Sequence, residues 1–228
     1  MRKIVISDIH GCLNSFKALL YKIVYSKRDE LYLLGDFIDR GPDSKGVIDY
    51  IWKLQIEGHF VKCLRGNHEQ MLLDSFNDPY DLKMWQSHGG METLRSFGVQ
   101  SVDDIHEDYL RWFDSLSYFV EVDDYILVHA GLNFDLPNPF DGVNSMIWIR
   151  NWYDKIKKDW LGNRIIVHGH TPTSSSIMRE NLSKIEEKAT MIIDGGCVYD
   201  TKELGYLFAF DLDKKQLYAQ RSLDTKII

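Results

Sequence analysis

Short apolar runs alternate with amphipathic stretches over the first third of the chain. The runs "KIVIS" (3–7), "LYLLG" (31–35) and "HFVKCLRG" (59–66) are typical of buried strands. Between them, residues 14–25 and 44–58 carry apolar side chains at helical spacing. This β-α-β-α-β order predicts parallel strands joined by helical crossovers, and therefore an α/β domain.

The rest of the chain is predicted to mix helices with strands. Residues 67–116 are mostly helical with a break at 88–90, and residues 132–163 form a long connection that contains an aromatic-rich helix. Two strands of a hairpin and four further strands are predicted at 118–122, 125–131, 164–171, 191–196, 205–213 and 216–223. No linker rich in proline or serine divides the chain, so we expect one domain over residues 1–228.

Composition narrows the class of protein. The chain has 228 residues, of which 44% are apolar, and a net charge of −7 that argues against broad binding to nucleic-acid phosphates. No apolar run approaches the ~18 residues of a membrane span, and the N-terminal run is too short for a signal peptide. We therefore expect a cytoplasmic protein without a membrane partner. The three cysteines are odd in number and far apart, which predicts neither a disulfide framework nor a thiolate zinc site.

Ionisable and ligating side chains follow five of the predicted strands. Each such group alone has an ordinary structural interpretation, as a turn residue or a hydrogen-bonded histidine. Their joint occurrence favours a binding site, because ligands of α/β sheets bind beyond the carboxyl ends of the strands. The side chains, in chain order, are Asp8, His10, Asp36, Asp39, Arg40, Asn67, His68, His129, His168 and His170.

The types of side chain indicate a metal site. The candidate ligands are two carboxylates, three imidazoles and one amide: Asp8, Asp36, His10, His129, His170 and Asn67. Mixed oxygen and nitrogen ligands without thiolate suit Mn, Fe or Zn better than Ca, and their number predicts two divalent ions, with Mn as our first choice. Asp36 is the natural bridge between the ions, and Arg40 indicates a substrate that carries phosphate.

Five blocks resemble a known family. "DIHG", "GDFIDRG", "RGNHE", "VHAG" and "GHT" are similar, in this order over residues 1–171, to the signatures of the phosphoprotein phosphatases within the calcineurin-like metallophosphoesterases. The resemblance is strongest to a bacterial and phage branch of small serine/threonine protein phosphatases and symmetrical dinucleoside tetraphosphate hydrolases. It implies one metallophosphoesterase domain, folded as a four-layer α-β-β-α sandwich of two mixed β-sheets.

The resemblance also implies a division of the ligands. Asp8 and His10, with the bridging Asp36, would hold the first metal. The second metal would be held by Asn67, His129 and the histidine before Thr171, which is His170, with His168 nearby.

Four further residues receive catalytic roles from the resemblance. His68 would be the general acid, oriented by Asp39, while Arg40 and Arg150 would hold the phosphate oxygens. In "WQSHGG" (85–90), His88 stands where the family stretch has asparagine. The implied reaction is in-line attack on phosphorus by a hydroxide that bridges the two metals.

Three functions remain open at this point. The preferred interpretation is hydrolysis of phosphoserine or phosphothreonine in proteins, because "DRG" follows "GD" in the second block. The alternative is symmetrical cleavage of diadenosine tetraphosphate. A binding module that kept the fold but lost the chemistry is the third. The substrate is thus expected to be a phosphoprotein, a small phosphoester or a nucleotide, and the sequence does not indicate an oligomeric state.

Overall fold

A computed structural model of the chain describes residues 1–224 and contains two β-sheets. Nine strands occur among these residues. They are β1 (Arg2–Ile6), β2 (Asp29–Leu33), β3 (Phe60–Cys63), β4 (Phe119–Val122), β5 (Tyr125–Val128), β6 (Ile165–His168), β7 (Thr190–Ile192), β8 (Tyr206–Asp211) and β9 (Gln216–Arg221).

Helices connect the strands and cover the sheets. They are α1 (Leu13–Lys22), α2 (Ser44–Ile56), α3 (Asn67–Asp74), α4 (Pro79–Trp85), α5 (Met91–Phe97), α6 (Glu107–Asp114), α7 (Val143–Trp148), α8 (Lys158–Leu161), α9 (Ser175–Ser183) and α10 (Ile185–Lys188). A π-helical turn, Gln86–Gly90, joins α4 to α5. Within residues 1–224, none of the helices has the length and apolar character needed to span a membrane.

Both sheets are mixed. The five-stranded sheet has the order β3-β2-β1-β8-β9, in which β1, β2 and β3 run parallel and β8 pairs antiparallel with β1. The four-stranded sheet has the order β4-β5-β6-β7, in which β4 and β5 form the predicted antiparallel hairpin. The pairs β5–β6 and β6–β7 are parallel. The carboxyl ends of several parallel strands therefore meet at one edge of each sheet.

The alternation of apolar residues along the strands shows which core each face of a sheet contacts. On β1, Val5 packs into the core between the two sheets, whereas Ile4 and Ile6 pack with the helices outside. On β5, Leu127 faces the core between the sheets and Ile126 faces the outer core. Helices thus cover the outside of two stacked sheets, which confirms the predicted four-layer α-β-β-α sandwich.

The predicted elements differ from the structure mainly at their ends and in one omission. The predicted break at 88–90 coincides with the π-helical turn, in which Gly89 has φ 109°. No element was predicted for residues 172–190, where α9 and α10 lie. Ser174 caps α9 and Met178 is buried under it, so an N-cap followed by apolar residues was the available signal.

The three cysteine thiols are buried and form no disulfide among the described residues. A hydrogen bond to Cys197, together with burial, raises the pKa of Cys12, and burial raises the pKa of Cys63. A thiol with a raised pKa is a poor nucleophile, because the thiolate is the reactive form.

We therefore predict that the cysteines take no part in the reaction. A variant with all three replaced by serine should lose stability, by about 1–3 kcal/mol for each buried hydroxyl that finds no partner. Its activity per folded, metal-loaded chain should match that of the parent. Thermal melts and assays normalised to metal content measure the two quantities, and lost activity in a folded, fully loaded variant would contradict the prediction.

Candidate dinuclear metal centre

Loops from both sheets bring the six candidate ligands to one place. In the five-stranded sheet, Asp8 and His10 follow β1, Asp36 follows β2, and Asn67 begins α3 after β3. In the other sheet, the residue after β5 and the second residue after β6 complete the set. These two residues are His129 and His170. All six side chains are buried, so the loops enclose a polar cluster at the edge of the sandwich.

Two groups of side chains have the spacing of metal ligands. His10, Asp36 and His68 form one group, and Asp36, His129 and His170 form the other, each with ligand atoms within 4.8 Å of one another. Asp36 Oδ2 lies 3.5 Å from His10 Nε2, and Asp36 Oδ1 lies 3.5 Å from His129 Nε2. Asp36 is therefore placed between the two groups, as a bridging carboxylate must be.

Asn67 joins the second group. Its Oδ1 atom lies 3.0 Å from His129 Nε2 and 2.9 Å from His170 Nδ1, and these two nitrogens are 3.2 Å apart. An amide oxygen and two imidazole nitrogens thus converge on one point, which matches the predicted second metal site.

Backbone carbonyls fix the orientation of two imidazoles. His10 Nδ1 lies 2.8 Å from the Ile38 carbonyl oxygen, and His129 Nδ1 lies 2.9 Å from that of Leu34. A carbonyl can only accept, so Nδ1 carries the proton in both rings and the Nε2 lone pair faces the cluster.

Burial keeps the imidazoles neutral. It lowers the pKa of His10, an effect that the nearby Arg40 increases, and it also lowers the pKa of His129. Burial and the proximity of His129 lower the pKa of His170 to about 3. Neutral imidazole is the form that binds metal, so these three side chains are ready to act as ligands.

Several buried carboxyl groups crowd the same cluster. Burial, followed by repulsion from Asp194 and Asp36, raises the pKa of Asp8, and burial raises the pKa of Asp194 to about 7. Burial acts to raise the pKa of Asp36, and only positive charge on the imidazoles around it, His129 first, would bring that pKa below its ordinary value. The set of donors fits two divalent cations, since it consists of buried carboxylates, neutral imidazoles and an amide oxygen. The positive charge of the cations would offset the repulsion between the carboxylates.

Asp8 does not stand among the ligand atoms of the first group. Its oxygens accept hydrogen bonds from the Ser7 hydroxyl and from the His170 backbone N–H, the latter at 3.1 Å. His68 occupies the third position of that group instead. The backbone bond ties the loop after β1 to the loop after β6, and the ligand role of Asp8 stays a prediction.

The backbone of the site is strained. Eleven described residues other than glycine have φ between 46° and 69°, a region that costs about 1–3 kcal/mol for most residues. More than half of them are predicted site residues. These are Asp8, His10, Asp36, Asp39, Arg40 and His170. Such strain is typical of functional loops, where side-chain placement outweighs backbone preference.

Glu69 is a residue that the sequence analysis missed. Its buried carboxylate accepts backbone N–H groups of Asp36 at 2.9 Å, Phe37 at 2.8 Å and Gly66 at 2.9 Å. It therefore holds the loop that carries Asp36 against the start of α3. The available signal was a glutamate at the third position of the helix that begins after Gly66, where its carboxylate can accept the N–H of the residue before the helix.

His68 and Asp39 form the predicted pair. His68 Nδ1 lies 2.7 Å from Asp39 Oδ2, and both side chains are buried. Asp39 also accepts from Trp85 Nε1 at 3.0 Å and from the Thr93 hydroxyl at 2.7 Å. Its carboxylate is therefore fixed, and the Nε2 edge of His68 points toward Asp36 at 4.0 Å.

Arg40 lies against the first group of ligands. Its Nη1 atom donates to His10 Nε2 at 2.9 Å, and its backbone N–H donates to Gly89 O at 3.2 Å. A Cβ on Gly89 would meet Arg40 N at 2.5 Å, so glycine is needed for this approach. The turn 86–90 therefore positions Arg40, while His88 Nδ1 turns away to the Met84 carbonyl at 2.8 Å.

Arg150 lies beside the second group. Its Nη1 atom donates to the hydroxyl of Thr171, the neighbour of His170, at 2.9 Å. His168 is buried behind this loop, where its Nε2 atom lies 3.3 Å from the Tyr153 hydroxyl. The structure thus places one predicted arginine at each group of ligands.

We predict that Arg40 acts on the phosphate and not on the metals. Arg40→Ala should retain its metals, lose about 10²-fold in kcat/KM and bind inorganic phosphate poorly. Lysine should restore activity only in part, because an ammonium lacks the paired donors of a guanidinium. Arg111→Ala, on an exposed side chain of α6, is the control. Unchanged kinetics in Arg40→Ala, or in the equivalent Arg150→Ala, would show that the arginine was wrongly assigned.

The chain matches the model of one protein family. A family model described as calcineurin-like phosphoesterase matches residues 1–208.

Two relatives act on nucleotides by name. A bis(5'-nucleosyl)-tetraphosphatase of Oceanobacillus iheyensis, named asymmetrical, is 27% identical over an alignment of 236 positions, gaps included, which covers 90% of this chain and 87% of the relative. A symmetrical bis(5'-nucleosyl)-tetraphosphatase of Pseudomonas putida is 31% identical over 133 residues, which cover 58% of this chain and 43% of the relative.

A solved structure shares the fold. The serine/threonine phosphatase of Saccharomyces cerevisiae superposes with a TM-score of 0.68 and 17% identity, covering 100% of this chain and 82% of that one.

Proposed function

The chain belongs to the calcineurin-like phosphoesterase family, and from this premise we propose that it hydrolyses bis(5'-nucleosyl) tetraphosphates with two divalent cations. The observation that carries the proposal is the relative from Oceanobacillus iheyensis, because the similarity extends over 90% of this chain. The sequence analysis preferred a protein phosphatase. The named relatives support its alternative better, since the yeast phosphatase shares the fold at an identity of only 17%.

The space around the ligands also favours a substrate with two large ends. A cavity of about 620 Å³ includes Arg40, which contacts the first group of ligands. Another of about 510 Å³ includes Thr171, which follows His170 of the second group. Each cavity has the size of a small-molecule site. A tetraphosphate chain across the metal centre could therefore place a nucleoside at either end.

Six residues of the site would bind the two cations. Asp8, His10, Asp36, Asn67, His129 and His170 would hold the cations. When bound, the cations supply Lewis-acid polarisation of the phosphoryl group.

Three other side chains would act on the substrate directly. Arg40 and Arg150 donate hydrogen bonds to the phosphoryl oxygens and orient the phosphorus for in-line attack by water. His68 gives the proton on Nε2 to the leaving oxygen, while Asp39 holds Nδ1 and stabilises the charged ring.

Substrate comparison tests the proposal. The purified, metal-loaded protein is assayed with diadenosine tetraphosphate, a phosphoserine peptide and p-nitrophenyl phosphate. We expect the highest kcat/KM with the tetraphosphate. Chromatography of the products gives the cleavage position, since symmetrical cleavage yields ADP alone and asymmetrical cleavage yields AMP with ATP. Efficient hydrolysis of the peptide with a tetraphosphate left intact would restore the protein-phosphatase interpretation, and loss of all three activities would favour a binding module.

A further inference from the structure

A cavity lies beside the second group of ligands and is here called the Tyr153 cavity. Thr171 forms part of its lining and accepts the hydrogen bond of Arg150 at 2.9 Å. A substrate group that fills the cavity could therefore belong to the same molecule as a phosphate that Arg150 holds.

The lining of the Tyr153 cavity has the chemistry of a nucleobase site. Ile156, Ile177 and Ile192 supply apolar surface, and the Tyr153 ring supplies a flat aromatic one. Polar and charged groups lie around these residues and can serve the edge of a base, a ribose and a phosphate. They include Thr173, Asn181, Lys158 and Lys188, together with the carboxyl groups of Asp154 and Glu187. Apolar faces with a few polar groups at the margin are what a heterocyclic base requires.

Tyr153 is held in place for stacking. Its ring is stacked on Trp152 with the centroids 4.9 Å apart and an interplanar angle of 28°. Trp152 is buried and donates from Nε1 to the Ala130 carbonyl at 3.1 Å, beside the ligand His129. Tyr153 itself remains 45% exposed. A ring with one face packed on a buried side chain and the other exposed loses little conformational entropy when it binds a base.

From these contacts we propose that the Tyr153 cavity binds one nucleoside of the substrate, with its base stacked on Tyr153 and packed against Ile177. The inference rests on the proposed function and adds to it a specificity-determining site. Phosphoserine itself carries no heterocyclic base that could stack on Tyr153. The cavity therefore selects nucleotide substrates over small phosphoesters.

Variants of Tyr153 test the inference with the metal-loaded enzyme. Tyr153→Ala removes the aromatic surface on which the base would stack, so it should raise KM for diadenosine tetraphosphate by about 10-fold. The loss of kcat/KM should be about 10-fold larger for the tetraphosphate than for p-nitrophenyl phosphate, which has no base. Tyr153→Phe keeps the ring and loses only the contact with His168, so its losses on the two substrates should be equal.

A second substitution keeps the test decisive if Tyr153→Ala does not fold. Ile177 is 51% exposed on α9, so Ile177→Asp should fold and place a charge against the base. It should raise KM for the tetraphosphate selectively. Ile56→Asp is the matched control, because Ile56 is 85% exposed at the end of α2 and lines neither cavity.

The outcomes separate the two proposals. Equal losses on both substrates in Tyr153→Ala and Ile177→Asp, in an enzyme that cleaves the tetraphosphate, would overturn the cavity assignment and leave the proposed function standing. A parent enzyme that cleaves p-nitrophenyl phosphate but not the tetraphosphate would refute the proposed function, and the nucleoside site with it.

Discussion

Replacing Asp36 with asparagine is expected to reduce kcat/KM on the order of 10³-fold, about 4 kcal/mol of transition-state stabilisation. Asp36 is the one side chain shared by both groups of ligands, with an oxygen 3.5 Å from His10 and another 3.5 Å from His129. Asparagine has nearly the same shape but no charge, and its nitrogen cannot act as a ligand. The variant should therefore bind fewer than two metals per chain.

Metal content measured by inductively coupled plasma mass spectrometry, alongside kcat/KM, checks this result. Asp123→Asn is the matched control, since Asp123 lies in the turn between β4 and β5 and is exposed, where it pairs with Lys3 at 2.6 Å. The control should keep both metals and full activity. Two metals per chain in Asp36→Asn would refute the bridging role.

His68→Asn is expected to reduce kcat/KM by about 10²–10³-fold with phenyl phosphate and by about 10-fold less with p-nitrophenyl phosphate. Phenolate is a poor leaving group that needs a proton in the transition state, whereas p-nitrophenolate leaves readily without one. His68 is placed to give that proton, because its Nδ1 atom is bound to Asp39 at 2.7 Å and its Nε2 edge is turned to the cluster.

The deciding quantity is the ratio of the two losses at equal metal content. Asp39→Asn should show a smaller bias in the same direction, because Asp39 only orients and charges the ring. His106→Asn, on an exposed histidine before α6, should show none. If the losses of His68→Asn are equal on both substrates, His68 serves as a ligand or a packing group and not as the acid.

The proposed nucleotide substrate carries a better leaving group than phenyl phosphate. A nucleoside polyphosphate leaves as a weakly basic phosphate, so the acid contributes less than it does with phenyl phosphate. The His68→Asn loss with diadenosine tetraphosphate should therefore resemble the loss with p-nitrophenyl phosphate.

The sequence predicts the fold well where the pattern is repetitive. Apolar runs such as residues 3–7 and 31–35 alternate with amphipathic helices, and this order permits few architectures other than parallel strands with crossovers. All but one of the nine strands among residues 1–224 end one to four residues earlier than predicted, because the residues at the ends of the predicted runs belong to the loops that follow. The α9–α10 segment was missed because its short helices carry few buried residues.

The site was predicted as a set of residues with their division between two metals, and the finer contacts among them were not predicted. Motif order indicates that Asp36, Asn67 and His129 meet, and the structure brings them together. Nothing in the order of residues shows that Asp8 turns to the His170 backbone or that Glu69 clamps the Asp36 loop. Those details depend on strained backbone angles and contacts distant in sequence, which local patterns do not encode.

The group formed by Asn67, His129 and His170 has a thermodynamic consequence for the whole domain. Asn67 follows β3 in one sheet and lies 62 and 103 positions from the two histidines, which belong to the other sheet. A cation held by the three is in effect a reversible cross-link that closes two long loops. By mass action the free energy of unfolding then rises with the logarithm of metal concentration, by about 2.7 kcal/mol at 100 times the dissociation constant. Removal of the metal by a chelator would thus lower the free energy of unfolding as well as abolish turnover.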